Sequence, residues 1–116
     1  MAELPENTRQ KKVAREVQRD LAEIIRMRGM AAFDGAMVTV SGVKMSPDLS
    51  LAKVYVSIFP SVKAEKVMEL LDENNRNLRG ELGRLVGKQL RIVPELAFYL
   101  DDSLDYVEHI DELLKK

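Results

Sequence analysis

The amino-acid sequence predicts an α+β domain in two layers, a three-stranded mixed sheet with helices on one face. Three observations carry that reading. The chain has 116 residues and no cysteine, so it must build one core without disulfides. A chain of this length buries roughly two-thirds of its unfolded surface, enough for a single domain. Apolar residues change from helical spacing to alternation and back, in the order helix, strand, strand, helix, break, helix, strand, helix. A short turn joins the first two strands, and a helical crossover of roughly thirty residues joins the last two. The first pair is therefore expected antiparallel and the second parallel. Residues 1–116 form one domain, with an ordered core from about 8 to 114.

Residues 8–28 read as a helix capped by Thr8, with Val13, Val17, Leu21, Ile24 and Ile25 recurring along one face. Lys12, Arg15, Arg19 and Arg26 fall on a stripe opposite that face. Glu16, Asp20 and Glu23 lie between the two, so the basic stripe is expected to meet solvent without being neutralised in place. Gly29 ends the helix and Gly35 closes a short loop.

Residues 37–46 read as a strand whose apolar phase changes between Val38 and Val40 on one side and Val43 and Met45 on the other. An extra residue must be absorbed there, and Gly42 suits a bulge. Ser46-Pro47-Asp48-Leu49 has turn chemistry. Leu51–Phe59 is the second strand, with Ala52, Val54, Val56 and Ile58 inward and Lys53, Tyr55 and Ser57 outward. The half-polar outer face predicts a sheet covered on one side only.

Pro60 stops the strand, and Lys63–Asp72 is helical through Val67, Leu70 and Leu71. Asn74-Asn75-Arg76-Asn77 interrupts the pattern, since asparagine is poor helix interior and tolerates left-handed backbone angles. Helical spacing resumes at Leu78, Leu82, Leu85 and Val86, with Gly87 as the stop. Ile92 to Leu100, entered through Pro94, is the third strand. Leu104–Leu114, capped by Ser103 or Asp102, is a last, acidic helix.

The chain balances 18 Lys and Arg against 19 Asp and Glu, a net charge of −1, but the charges are sorted into blocks. Residues 1–28 hold seven basic groups against five acidic ones. Residues 76–91 hold Arg76, Arg79, Arg84, Lys88 and Arg91 against Glu81 alone. Residues 95–114 hold seven acids and no Lys or Arg. A basic pole attracts phosphate without making the whole domain basic. No apolar run approaches a membrane span, and the polar Met1–Gln10 is not signal-like, so a soluble cytoplasmic domain is expected.

Composition and motifs argue against an enzyme. Without cysteine there is no thiolate zinc site, iron–sulfur cluster or thiol nucleophile, and one histidine, His109, makes no His-rich metal site. His109 lacks a Gly-x-Ser-x-Gly nucleophile to serve. Gly83 to Gln89 is one residue short of a phosphate loop and lacks the hydroxyl after Lys88. Asp101, Ser103, Asp105 and Glu112 match calcium-loop offsets, but Tyr106 stands where that loop needs glycine. No cofactor, metal or small-molecule substrate is expected. Gly80-Glu81-Leu82-Gly83 has the letters of a Gly-x-x-Gly nucleic-acid clamp, yet Leu82 continues the helical stripe and Glu81 would repel phosphate. That tetrapeptide reads as helix.

Several blocks in order carry a family resemblance. They are Arg15 to Ile25; Met37-Val38-Thr39-Val40 with Val43; Ser46-Pro47-Asp48-Leu49-Ser50 running on to Val56; Leu78 to Gly83; and Leu90 to Leu96 with Phe98, Asp101 and Ser103. From about Thr8 to Leu114 the chain resembles bacterial ribosome-binding factor A, a KH-like (type II) RNA-binding domain. The resemblance implies the order α-β-β-α-(kink)-α-β-α. It also implies a monomeric, non-catalytic factor that binds the free small (30S) ribosomal subunit. Such factors assist late maturation and 5′-end processing of 16S rRNA, and matter most in the cold. The family's junction is typically an Ala-x-Gly kink, and Asn74-Asn75-Arg76 stands there instead.

The candidate RNA contacts are Lys12, Arg15, Arg19, Arg26, Arg76, Arg79, Arg84, Lys88 and Arg91, acting as positioning charges on phosphate. Arg91, alone among them, has a second reading, as a tie between the helix pair and the third strand. With three Tyr, three Phe and no Trp, no platform for stacking bases is expected, and RNA would be recognised by shape and backbone. The other reading open to the sequence is a protein-binding module that docks through its acidic C-terminal helix on a KH-like scaffold.

Overall fold

A computed structural model describes residues 7–86 and 92–101. Its first helix, α1, spans Thr8–Arg28 and is capped by Asn7, one residue before the expected cap. The Asn7 side chain accepts from the Gln10 N–H at 2.8 Å, and Gln10 Oε1 accepts from the Asn7 N–H at 2.9 Å. This reciprocal box satisfies two backbone donors that Thr8 alone cannot reach. Gln10 is buried and spends its amide on the sheet, Nε2 donating to the Met45 carbonyl at 3.1 Å. Val13, Val17, Leu21, Ile24 and Ile25 are all buried, as their spacing requires.

Gly29, at φ 82°, turns the chain into a short 3-10 turn that buries Phe33, and β1 (Met37–Met45) follows. It pairs antiparallel with β2 (Leu51–Phe59), and the register shifts between Val40 and Gly42. Ser41 is the extra residue, beside the expected Gly42. The bulge resolves the change of phase, because Val40 and Met45 both face the core. The Val40 carbonyl at the bulge accepts from Gln18 Nε2 at 3.2 Å, anchoring α1 there. Along β2 burial alternates, with Ala52, Val54, Val56 and Ile58 inward.

The parallel third strand, β3 (Glu95–Leu100), pairs with β2 and gives the order β1-β2-β3. It starts three residues later than the spacing predicts, and Ile92 is 70 % exposed. Pro94 has no N–H to donate, so the ladder opens with the Glu95 N–H on the Ser50 carbonyl at 2.8 Å. The other side of the sheet carries Tyr55 and Tyr99, stacked with centroids 5.6 Å apart and planes 29° apart. They are distant in sequence and direct neighbours in the parallel register.

Between β2 and β3 run α2 (Ala64–Glu73) and α3 (Asn75–Val86). The break is narrower than Asn74-Asn75-Arg76: Asn74 alone interrupts the helix, while Asn75 and Arg76 open α3. Nor is it left-handed. Asn74 has φ −94° and ψ 5°, and its side-chain amide folds back on the Leu70 carbonyl at 2.8 Å. Asn75 Nδ2 donates to the Leu96 carbonyl of β3 at 2.9 Å. These asparagines hold the junction by satisfying carbonyls, so the left-handed freedom expected of them is not used. Replacing Asn75 by Ala therefore removes a tie to β3 as well as altering the junction.

The hairpin turn closes on Asp48. Its carboxylate accepts from the Ser46 hydroxyl at 2.8 Å, the Ser50 hydroxyl at 2.7 Å and the Ser50 N–H at 3.1 Å. Leu49, at φ 62°, packs partly buried against the core. These donors lower the Asp48 pKa to about 2 from 3.8, the Ser50 hydroxyl contributing most. A folded-state pKa below the unfolded one stabilises above pH ~4, and that contribution fades as pH falls towards 2. In thermal melts, wild type should exceed Asp48→Asn at neutral pH, and the gap should shrink between about pH 4 and pH 2. A pH-independent gap counts against the charge.

The order α-β-β-α-break-α-β is thus present from Thr8 to Leu100, with the helices on one face of the sheet. Gly87, Lys88, Arg91, His109 and the expected helix Leu104–Leu114 lie outside the described residues.

Candidate nucleic-acid interface

The basic residues do not form one patch. Lys12, Arg15 and Arg19 line an open groove of about 570 Å³ on the N-terminal half of α1, together with Thr8, Lys11 and Glu16. Arg76 and Arg84 line a second groove of about 420 Å³, between α3 and the end of α1, with Arg28, Asn77, Gly80 and Glu81. Arg28 stands roughly 180° round α1 from Arg19, so one helix serves both grooves from opposite sides. Arg26 joins neither. It borders an apolar cleft of about 190 Å³ lined by Ile25, Met30 and Phe33.

Part of the stripe is paired in place, contrary to expectation. Arg19 donates to Glu16 at 2.5 Å and lies 3.9 Å from Asp20; Arg26 donates to Glu23 at 2.5 Å. Helical neighbours three residues apart meet on the surface, and that proximity outweighs the separation of stripes on a helical wheel. The Asp20 pKa is raised, by burial first and then by the neighbouring Glu16 charge, with Arg19 opposing. The hydrogen bond from Arg26 lowers Glu23. Both arginine side chains remain 71 % exposed, so their outer edges still face solvent.

Arg79 ties the helix pair to the third strand, the second reading given for Arg91, which lies outside the described residues. The Arg79 guanidinium reaches across to the segment before β3, Nε donating to the Pro94 carbonyl at 3.2 Å and one terminal nitrogen to the Val93 carbonyl at 2.8 Å. It is a tie between α3 and the sheet. Reversing Arg79 along with Arg76 and Arg84 would set a carboxylate against two carbonyl oxygens, so that triple change would not leave the fold intact.

The reading of the sequence missed Arg28. It falls at the azimuth of the apolar face, where a basic stripe is not sought, yet it meets α3 there. Its guanidinium donates to Glu81 at 2.8 Å, bridging the two walls of the groove. Glu81 thereby holds Arg28 in place, and three arginines against one glutamate leave the groove positive.

Gly80-Glu81-Leu82-Gly83 is helix, as its periodicity requires, and Leu82 is fully buried. The two glycines differ. A Cβ at Gly83 would come within 3.0 Å of Val93 Cγ2, whereas at Gly80, on the groove, it would meet nothing within 4 Å. Gly80→Ala should raise stability by about 1 kcal/mol through helix propensity. Gly83→Ala should gain less, because Val93 must give way. Equal gains in melting temperature would remove that close contact.

Comparison with known proteins identifies the lineage. The family model for Ribosome-binding factor A matches residues 9–114. The chain belongs to the ribosome-binding factor A family. The family's factor from Cytophaga hutchinsonii is 39 % identical over 111 residues, covering 96 % of this chain and 84 % of that one. The crystal structure of ribosome-binding factor A from Thermus thermophilus superposes with a TM-score of 0.68 at 28 % identity, over 78 % of this chain and 94 % of that chain. A homology model of the Thermus thermophilus factor, fitted into a cryo-EM map of a 30S–RbfA complex, superposes with a TM-score of 0.65 at 27 % identity, over 80 % and 96 % of the two chains. Two blocks that carry the family resemblance have structural tasks here. Ser46 to Ser50 closes the hairpin, and Val93-Pro94 receives Arg79.

Proposed function

We propose that this chain is a ribosome-assembly factor that binds the free small subunit through its 16S rRNA. Phosphates seat in the Arg28–Arg76–Arg84 groove, and the Lys12–Arg15–Arg19 groove contributes further positioning charge. The observation that carries the reading is a groove with three arginines between two helices, in a family whose Thermus member has been fitted into a 30S complex. Such contacts bind a folded RNA by its backbone, and they contribute affinity in proportion to the phosphates neutralised. Gly80 leaves the groove floor open for that approach.

On this reading the protein works as a cytoplasmic monomer without a catalytic step. It assists late maturation and 5′-end processing of 16S rRNA and matters most in the cold. Among the described residues no helix is long and apolar enough to cross a membrane. The alternative, docking of a protein through the acidic C-terminal helix, rests on residues outside those described. Sedimentation of cell extract tests the proposal. The protein should travel with free small subunits, and a strain lacking it should accumulate unprocessed 16S rRNA, more so at low temperature. Protein that stays at the top of the gradient sinks the reading.

A further inference from the structure

The face of the sheet turned away from the helices is not used by either groove. On it Tyr55 and Tyr99 stack, Tyr99 being 45 % exposed, and they form an aromatic row that composition alone does not reveal. Gly42 stands opposite Tyr55 on β1, and its missing side chain leaves open space beside that ring. The next row towards the hairpin sets Lys44 directly opposite Lys53, placing two positive charges at one end of the aromatic row. On the other side, Thr39 faces Ser57, a row of hydroxyls. Glu95 lies one row beyond the lysines, opposite Leu51, at the start of β3.

We propose that this face, which no helix among the described residues covers, binds single-stranded RNA, its bases stacking on the Tyr55–Tyr99 pair and its phosphates meeting Lys44 and Lys53. Aromatic rings on a sheet accept any base by its π-face, and lysines beside them follow the backbone. Hydroxyls at the other edge supply donors and acceptors for sugar or base edges. The ligand class rests on the RNA-binding reading above, but the site is separate. The helical grooves are built to hold phosphates of a folded RNA, whereas this face offers ring surface that only an unstacked base can use. The chain would thus hold a structured element on one side and an unpaired strand on the other.

The test uses the full chain with two probes, an octamer of uridine and an octamer of adenosine, followed by amide-shift mapping and by tyrosine emission. Binding should perturb Gly42, Lys53, Tyr55 and Tyr99. Tyr99→Ala should weaken it roughly tenfold to a hundredfold, while Tyr99→Phe retains it. Lys44→Gln with Lys53→Gln should lower the salt dependence without moving the aromatic contacts. Melting curves check that each variant is folded, and Tyr55→Phe with Tyr99→Leu serves if Tyr99→Ala is not. Octamers that perturb only the helical grooves, or bind Tyr99→Ala as well as wild type, overturn the proposal. So does a face held by the chain's own acidic stretch: neutralising Asp105, Glu108 and Glu112 would then shift Lys53 and Tyr99 with no octamer present, and the octamers would not. Sedimentation with small subunits is read separately. A chain that sediments with subunits but ignores the octamers loses only this site, and one that binds octamers at the tyrosines but not subunits loses only the assembly reading.

Discussion

Replacing Arg76 and Arg84 together by Glu should weaken binding to purified small subunits roughly a hundredfold at moderate salt. Each lost phosphate contact reduces the slope of log affinity against log salt by about one unit, so the pair should reduce it by about two. Both side chains are exposed, and neither holds the fold, so the melting temperature should barely move. Arg28 is left in place deliberately, since reversing it would set two carboxylates together at Glu81. A folded double variant with an unaltered salt slope would move the phosphates to the Lys12–Arg15–Arg19 groove on α1. The same titration with Lys12 and Arg15 reversed then decides between the two.

Arg79→Met should do the opposite. Methionine keeps the apolar stem and removes both donors, leaving the Val93 and Pro94 carbonyls without their charged partner. The loss should be about 2–3 kcal/mol, given the strength of hydrogen bonds from a charged donor. In a domain of this size that lowers the melting temperature by roughly 8–12 °C. Affinity for the small subunit, measured where the variant is folded, should stay close to wild type. Unchanged melting with weakened binding would return Arg79 to the RNA surface. Paired with the first variant, this one separates charges that face a ligand from charges that brace the fold.

Local patterns were legible wherever one element decides them. The apolar period of α1, the alternation along β2, and the phase change that forces a bulge near Gly42 are properties of short segments. So is the helical reading of Gly80 to Gly83, because Leu82 had to continue a stripe. Capping was less legible: Asn7 replaced Thr8 because Gln10 could answer it, and a single residue type does not reveal that reciprocity. At the junction the asparagines were found, but not their geometry, since Asn75 turns to a carbonyl of β3 that lies far along the chain.

The candidate site divides along the same line. By its charge blocks the sequence determined that basic groups concentrate on the first helix and the helix pair, and by its periodicity it determined the elements that carry them. Which arginines meet a ligand was decided only in three dimensions. Arg79 reaches the Val93 and Pro94 carbonyls because α3 packs beside the entry to β3. Arg28 enters the groove because α1 packs against α3, which brings Glu81 within reach of it. Tyr55 and Tyr99 become one aromatic surface because β2 and β3 run parallel in register. A sequence fixes each side chain's place along its own element. Partners across elements depend on how those elements pack, and packing sums many weak contacts from the whole core, which no local pattern contains.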